Sequence, residues 1–264
     1  MLVWGYPAGD SEYSSLQTKV QKRLSSGLTA LGTFTWGKIM TDDGNPPLGF
    51  VGSHYGGAQD WRNLNYEHSI SPQDVKYQFT GSVSYDLPVG RGKTVNLEGV
   101  SDAALGGWTV NAMGYLSTGV PIHSPTSGTS PSYFNQRADM ICDPSRGAPH
   151  TVAEWFNDNC FAIPGTENGA ANPYVAGTAP AYLDHVRTRG ARDLDLSIYK
   201  TFALGEVRSL RFDISAYNIT NTPQYGYPQI NSIVGVQQQG LPFGVITDTV
   251  NTPRQFQFGT RFTF

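Results

Sequence analysis

Apolar and polar side chains alternate along seven segments of the chain. In the last segment, residues 255–264, every second residue from Phe256 to Phe264 is Phe or Thr, and Gln, Gly, Arg and Thr lie between them. A β-strand places successive side chains on opposite faces, so this pattern predicts one aromatic face and one polar face. The other six segments alternate in the same way: 13–24, 28–36, 75–87, 108–117, 193–202 and 211–218.

The lengths of these segments and of the links between them predict a membrane protein. The segments have about eight to thirteen residues, close to the length with which a tilted strand crosses a bilayer. Long polar links (38–74, 119–191 and 219–254) alternate with shorter ones, as extracellular loops and periplasmic turns do in outer-membrane barrels. The predicted fold is all-β: an antiparallel transmembrane β-barrel segment of about seven meandering strands, with long extracellular loops, in the bacterial outer membrane.

The strand count suggests that the barrel is incomplete. Single-chain bacterial barrels have an even number of strands and periplasmic termini, whereas the predicted count is odd and the first strand starts on the loop side. The N-terminus lacks the pattern of a signal peptide, and no stretch approaches 18 apolar residues. We therefore expect residues 1–264 to be the C-terminal portion of one barrel domain. Because two sheet edges would stay unpaired, we expect an open curved sheet or a small forced closure.

Composition and charge exclude few functions but fit this fold. The chain is 39% hydrophobic, 12% aromatic and 15% charged, with 30 glycines, which suits many strands and long polar loops. A net charge of −3 and the lack of a Lys/Arg-rich run argue against nucleic-acid binding. The charges predicted on the polar face are mixed in sign, so no strong ion selectivity is expected; they are Lys19, Arg23, Lys76, Asp193, Asp195, Arg211, Asp213 and Arg261.

Candidate chemistry is sparse. Cys142 and Cys160 lie in one polar segment and are either two free thiols or a disulfide that closes a surface loop in an oxidising compartment. Zinc is disfavoured because no second Cys or His pair has ligand spacing. The histidines, at positions 54, 68, 123, 150 and 185, are scattered. Without a catalytic constellation, the chain is predicted not to be an enzyme and to need no cofactor.

The predicted outer loops are rich in aromatic residues. These residues either pack the loops against one another or face a ligand such as an oligosaccharide, a peptide or a siderophore-like solute. The candidates for ligand contact are Trp61, Tyr66, Tyr133, Trp155, Tyr174 and Tyr182, and Phe156, Tyr225 and Tyr227 lie in the same loops. Residues 151–154 form a capping-box pattern that predicts a short helix just before Cys160.

Nine short runs in this order and spacing resemble one family. They are 13–23 (YSSLQTKVQKR), 27–38 (GLTALGTFTWGK), 85–93 (YDLPVGRGK), 106–108 (GGW), 135–139 (NQRAD), 155–157 (WFN), 195–200 (DLSIYK), 216–221 (AYNITN) and 252–255 (TPRQ). With them the chain resembles the C-terminal barrel of TonB-dependent transporters. The nearest subgroup is the Oar-like receptors, which carry a carboxypeptidase-regulatory-like domain at the N-terminus.

This resemblance implies a function that the pattern alone does not give. It implies a 22-stranded barrel with a plug inside, of which these strands are the last third; the plug, the TonB box and the N-terminal domain are absent from this sequence. The whole protein would bind a small solute or an oligomeric ligand at its outer loops and import it, coupled to the TonB complex through the missing parts. The alternatives are a structural or adhesive surface protein and a passive porin. The resemblance also makes Phe258, Phe262 and Phe264 the signal for the barrel insertion machinery.

Overall fold

The computed structural model describes residues 9–25, 27–42, 58–60, 63–127, 136–165, 175–240 and 242–264. Its strands are β1 (Ser11–Ser25), β2 (Leu28–Thr41), β3 (Ser69–Ile70), β4 (Tyr77–Asp86), β5 (Trp108–Ser117), β6 (Pro121–His123), β7 (Asp139–Met140), β8 (Phe161–Ala162), β9 (Tyr182–Arg187), β10 (Arg192–Ala203), β11 (Ser209–Tyr217) and β12 (Gln255–Thr263). Its α-helices are α1 (Gly99–Leu105) and α2 (Ile233–Gln239). Among the described residues, no helix combines the length and apolar character needed to cross a membrane.

The seven long strands form one antiparallel meander in the order β1-β2-β4-β5-β10-β11-β12. Their register places the apolar residues of neighbouring strands opposite one another, so the sheet has one apolar and one polar face. One row of the apolar face consists of Ala30, Val83, Ala112, Leu196, Ala216 and Phe256. The adjacent row of the polar face consists of Thr29, Ser84, Asn111, Ser197, Ser215 and Gln257. The all-β fold and the alternation of faces are as predicted.

The polar face is the concave one. A cavity of about 520 Å³ lies against it, lined among others by Thr29, Ser84, Asn111 and Ser197. Among the strands that the structure describes, β1 and β12 are the two edges and do not pair with each other, so the sheet is open. This arrangement is the open curved sheet expected from the sequence.

A row of glycines crosses the middle of the apolar face. Gly81 lies opposite both Gly32 and Gly114. A Cβ atom on Gly81 would lie 3.2 Å from ring carbons of Phe79, so the absence of a side chain leaves room for this ring. Glycine weakens a strand, and an aromatic ring over the glycine restores part of the lost contact.

Most strand ends lie close to the predicted ones. β5 has the bounds predicted from the sequence. β2 continues past the predicted residue 36 to Thr41, because it pairs with β1 as far as Ser11. β11 ends at Tyr217, one residue before the predicted end, because Asn218 has a positive φ of 48° and leaves the extended conformation.

The connections between the long strands alternate in length as predicted. Short links join β1 to β2 and β10 to β11, and a link with α1 joins β4 to β5. We call the others the first (42–76), second (118–191) and third (218–254) long connections; all three leave the same end of the sheet. They contain β3, β6 to β9 and α2, which the sequence did not predict because these elements are too short to show a periodic pattern.

Candidate functional site: a folded cap on the long connections

The three long connections fold together into a structure that we call the cap. Its main core is shared by the second and third connections, so neither connection buries its apolar residues alone. This core contains Ile122, Ala138, Trp155, Phe156, Phe161, Leu183, Val186, Ile233, Phe243 and Ile246. A smaller cluster of Ile70, Ala181 and Tyr182, with Met40 packed against it, joins β3 and β9 to the end of β2.

Three phenyl rings form the centre of the main core. Phe156 is fully buried and makes edge-to-face contacts with Phe161 and Phe243, with ring centroids 6.1 and 5.2 Å apart. Such pairs add stabilisation beyond their buried area. The Cys142–Cys160 disulfide lies next to these rings in the chain, with 4.8 Å between its Cα atoms. Of the two states open from the sequence, the structure therefore has the bonded one.

Replacing both Cys142 and Cys160 with serine is expected to destabilise the cap by about 3 kcal/mol, because a disulfide restricts the unfolded chain. The measurement is the rate at which an added protease cleaves the cap of the protein in isolated outer membranes. The control variant is Val152→Ala, at an exposed position of the same connection. Equal cleavage rates in the double-serine variant and the parent would contradict the prediction.

A buried ion pair connects the first and second connections. The guanidinium Nη1 of Arg137 lies 2.7 Å from Oε2 of Glu67, and the two side chains are 8% and 2% exposed. Arg137 also donates to the carbonyls of Ala179 and Tyr66. Gln59 completes the network. Its side-chain oxygen accepts the backbone N–H of Arg137, and the backbone N–H of Gln59 donates to Glu67 Oε1. The charges and polar groups of this junction are thus satisfied inside the cap.

A second ion pair fixes the cap to the main sheet. Arg187 Nη2 lies 2.7 Å from Asp74 Oδ2, and Asp74 is almost fully buried. The other carboxylate oxygen of Asp74 accepts the backbone N–H of Ile39 in β2. Arg187 also pairs with Asp184 at 3.0 Å, and Lys38 lies 3.7 Å from the same carboxylate. Burial raises the pKa of Asp184, but the hydrogen bond from Arg187 and the nearby positive charges outweigh it, so the pKa is lowered overall.

The lowered pKa of Asp184 gives its contribution to stability a defined pH dependence. This contribution is present above the ordinary carboxyl pKa of about 3.9 and is lost as the pH falls through the lower pKa of the folded state. We expect Asp184→Asn to lower the urea midpoint of cap unfolding at neutral pH and to match the parent in strong acid. The control is Glu206→Gln in the exposed β10–β11 link. If the urea midpoint of Asp184→Asn were as far below that of the parent in strong acid as at neutral pH, the prediction would be contradicted.

The aromatic residues proposed for ligand contact differ in how much of each is exposed to solvent. Trp155 and Tyr182 are buried, at 8% and 7% exposure, and the indole Nε1 of Trp155 donates to the carbonyl of Arg187 at 2.6 Å. These two residues therefore pack the cap, which corrects their assignment to a ligand surface. Tyr66 is 44% exposed and remains available for a ligand. Trp61, Tyr133 and Tyr174 lie outside the described residues.

The short helix predicted before Cys160 is present, but it does not begin at the capping-box residues 151–154. The Thr151 hydroxyl accepts the backbone N–H of Glu154 at 3.1 Å, as in a capping box, but the chain continues in bends. A 3₁₀ helix, Asp158–Cys160, follows instead, capped by Asn157. The burial of Trp155 in the core explains the difference, since its backbone N–H donates to the carbonyl of Gly244 in the third connection.

His123 and His68 have different partners. His123 stacks on Tyr227 with ring centroids 5.6 Å apart, and its backbone N–H donates to the Tyr227 hydroxyl at 2.6 Å. Desolvation lowers the pKa of His123 and raises the pKa of Tyr227. His68 pairs instead with Asp42 at 2.6 Å. Within the described part of the chain, no three His, Cys, Asp or Glu side chains are grouped to hold a metal ion.

Two of the charges predicted on the polar face pair with each other. Arg211 Nε lies 2.8 Å from Asp213 Oδ1, and the guanidinium lies 3.8 Å from the ring centroid of Tyr199. Asp195 accepts the backbone N–H of Asn218 at 2.8 Å, where β11 passes into the third connection. The mixed signs predicted for this face thus include local pairs.

The fold agrees with a comparison against known families. A family model for the outer membrane beta barrel domain matches residues 4–257, which is nearly the whole chain. A comparison with curated proteins found no match. The matched region includes the first six long strands, the cap and the start of β12, and membership places the protein in the bacterial outer membrane. The chain therefore belongs to the family of outer membrane beta barrel domains.

Proposed function

We propose that the chain forms part of the barrel of a TonB-dependent transporter, which binds a solute with its cap and imports it through the lumen. This proposal rests on the observation that the cap is a well-ordered structure, with a shared core and a buried Arg137–Glu67 ion pair. An ordered surface loses little conformational entropy when it binds, which favours capture of a scarce solute. The proposal includes no catalytic reaction and no cofactor.

The open sheet supports a larger barrel than these strands alone. Within the described part of the chain, β1 and β12 each lack a partner strand on one side. Lipid offers no hydrogen bonds to such an edge. We infer that further strands complete the barrel, as in 22-stranded transporters with a plugged lumen. The TonB complex would be contacted by parts outside this chain.

Uptake and conductance together test the proposal. Cells with and without the gene would receive three labelled probes: a ferric hydroxamate complex, a malto-oligosaccharide and an oligopeptide. We expect uptake of at least one probe to require both the gene and the proton gradient, and to be lost when a protonophore is added. Unchanged uptake of all three probes would favour an adhesive or structural protein. Steady ion conductance of the purified protein in a planar bilayer would favour a passive porin.

The C-terminal aromatic residues support recognition by the barrel insertion machinery. Phe258, Phe262 and Phe264 are 75%, 52% and 91% exposed on the apolar face of β12 and just after it, so they are accessible before lipid surrounds them. Replacing Phe264 with serine is expected to lower the amount of barrel in outer membranes, measured as heat-modifiable protein on gels. Val250→Ser, at an exposed cap position, is the control. Normal assembly of Phe264→Ser would argue against this role.

A further inference from the structure

The helix α1 lies against the apolar face of the sheet, at the end opposite the cap. It belongs to the link between β4 and β5. Trp108, the first residue of β5, lies directly opposite Lys200 of β10, and both positions belong to the apolar face. Their side chains reach the helix, which places its last turn at the border of the apolar face that is farther from the cap.

The carbonyl groups at the end of α1 are bound by these two side chains. Lys200 Nζ donates to the carbonyls of Asp102 and Ala103, at 3.0 and 2.6 Å. Trp108 Nε1 donates to the carbonyl of Ala104 at 2.9 Å. The last carbonyls of a helix lack partners within it and carry its partial negative charge. A lysine, only 5% exposed, is thus accommodated on an apolar face by binding the negative end of a helix.

The outer side of α1 is apolar and uncovered. Val100 is 86% exposed and Leu105 is 62% exposed, and no residue of this helix is buried. Val100, Ala103 and Ala104 have the spacing of one helix face. The last turn of α1 lies beside Trp108 and Lys200, two residue types that are favoured at the border of the lipid-facing surface in membrane proteins. Lipid at that border would cover the apolar side chains that the protein leaves exposed.

We propose that α1 lies in the periplasmic surface of the outer membrane, with Val100, Ala103 and Ala104 in contact with phospholipid acyl chains. Lys200 is the positioning residue that holds the helix at this depth. The arrangement resembles an interfacial amphipathic helix, but here the barrel wall fixes the helix. The molecules that cover the exposed apolar face of α1 are phospholipids of the periplasmic leaflet.

The depth of three spin labels tests the location of α1. Nitroxides would be attached to Val100→Cys, Val207→Cys and Phe258→Cys, one at a time, in the full chain reconstituted in vesicles of phosphatidylethanolamine and phosphatidylglycerol. Positions 207 and 258 are 79% and 75% exposed and report the aqueous β10–β11 link and the lipid-facing surface. We expect the ratio of collisions with oxygen to collisions with a water-soluble nickel chelate to be several-fold higher at positions 100 and 258 than at 207. A ratio at position 100 equal to that at 207 would overturn the proposal.

A substitution of Lys200 tests its positioning role. With Lys200→Gln, we expect the ratio at position 100 to fall to that at 207, and the ratio at 258 to stay high. Lys19→Gln, on the polar face of β1, is the matched control and is expected to change neither. An unchanged collision ratio at position 100 would show that Lys200 does not hold α1 at its depth. A lower collision ratio at both positions 100 and 258 would show that Lys200 stabilises the barrel wall rather than α1. Its positioning role would then also be wrong.

Discussion

Replacing Arg137 with methionine is expected to destabilise the cap by about 3–5 kcal/mol, because it leaves a buried carboxylate without its partner. The Glu67 side chain is 2% exposed and loses the guanidinium at 2.7 Å. The carbonyls of Ala179 and Tyr66 lose a donor at the same time. The loss is expected to separate the first connection from the second. It should appear as rapid chymotrypsin cleavage of the cap in isolated outer membranes.

An exposed ion pair of the same connection supplies the control. Arg146 lies 3.4 Å from Asp143, and its side chain is 87% exposed. Arg146→Met removes the same kind of charge at the surface and is expected to leave the cleavage rate unchanged. A double variant, Arg137→Met with Glu67→Leu, is expected to recover part of the resistance, since it removes both buried charges. Equal resistance of Arg137→Met and Arg146→Met would contradict the prediction.

Lysine at position 214 is expected to impair barrel assembly, whereas lysine at position 215 is not. Ile214 is on the apolar face of β11, opposite Ile198 and Phe258, where lipid surrounds the side chain. A lysine near the middle of the bilayer costs about 2–4 kcal/mol. Ser215 is the next residue, lines the concave cavity and faces water. The measurement is the fraction of heat-modifiable protein in isolated outer membranes.

Comparing these two variants shows whether assembly depends on the face of β11 that carries the lysine or only on its place along the strand. Both substitutions add the same charge to the same strand, at neighbouring residues. Equal assembly of Ile214→Lys and Ser215→Lys would contradict the assignment of faces. Loss of assembly only with Ser215→Lys would reverse it.

The long strands could be predicted because each carries its own pattern. Alternation between two faces is a local property, so it can be seen in β5 or β12 without knowledge of the partner strand. The register of the meander then brought the apolar positions together on one face, as the pattern required. The end of β2 could not be predicted in this way, because its last residues are held by pairing with β1 and β3.

The cap could not be predicted because its contacts join distant parts of the chain. Phe156 and Phe243 pack together but belong to different connections. The structured elements between them have few residues and no periodicity. A signal was nevertheless present: Trp155 and Phe156 are adjacent bulky aromatic residues in a polar stretch, which is more typical of a small core than of an exposed binding surface.

Lys200 was also missed, although the sequence held a clear sign. Leu194, Leu196 and Ile198 occupy alternate positions of one strand, and Lys200 follows at the next position on the same face. A charge that interrupts an apolar face requires a partner. The partner is the last turn of α1, which a reading of single strands does not place against β10.

The links within the cap join residues at very different distances along the chain, so they close at different costs in chain entropy. Cys142 and Cys160 are 18 residues apart, whereas Arg137 and Glu67 are 70 apart and Arg187 and Asp74 are 113 apart. Short loops close at a lower cost in entropy than long ones. The disulfide is thus suited to form in the oxidising periplasm while the cap is still an unfolded segment. The two ion pairs close much longer loops and therefore form at a higher cost in chain entropy, which pairing of the long strands reduces by bringing the ends of these loops together.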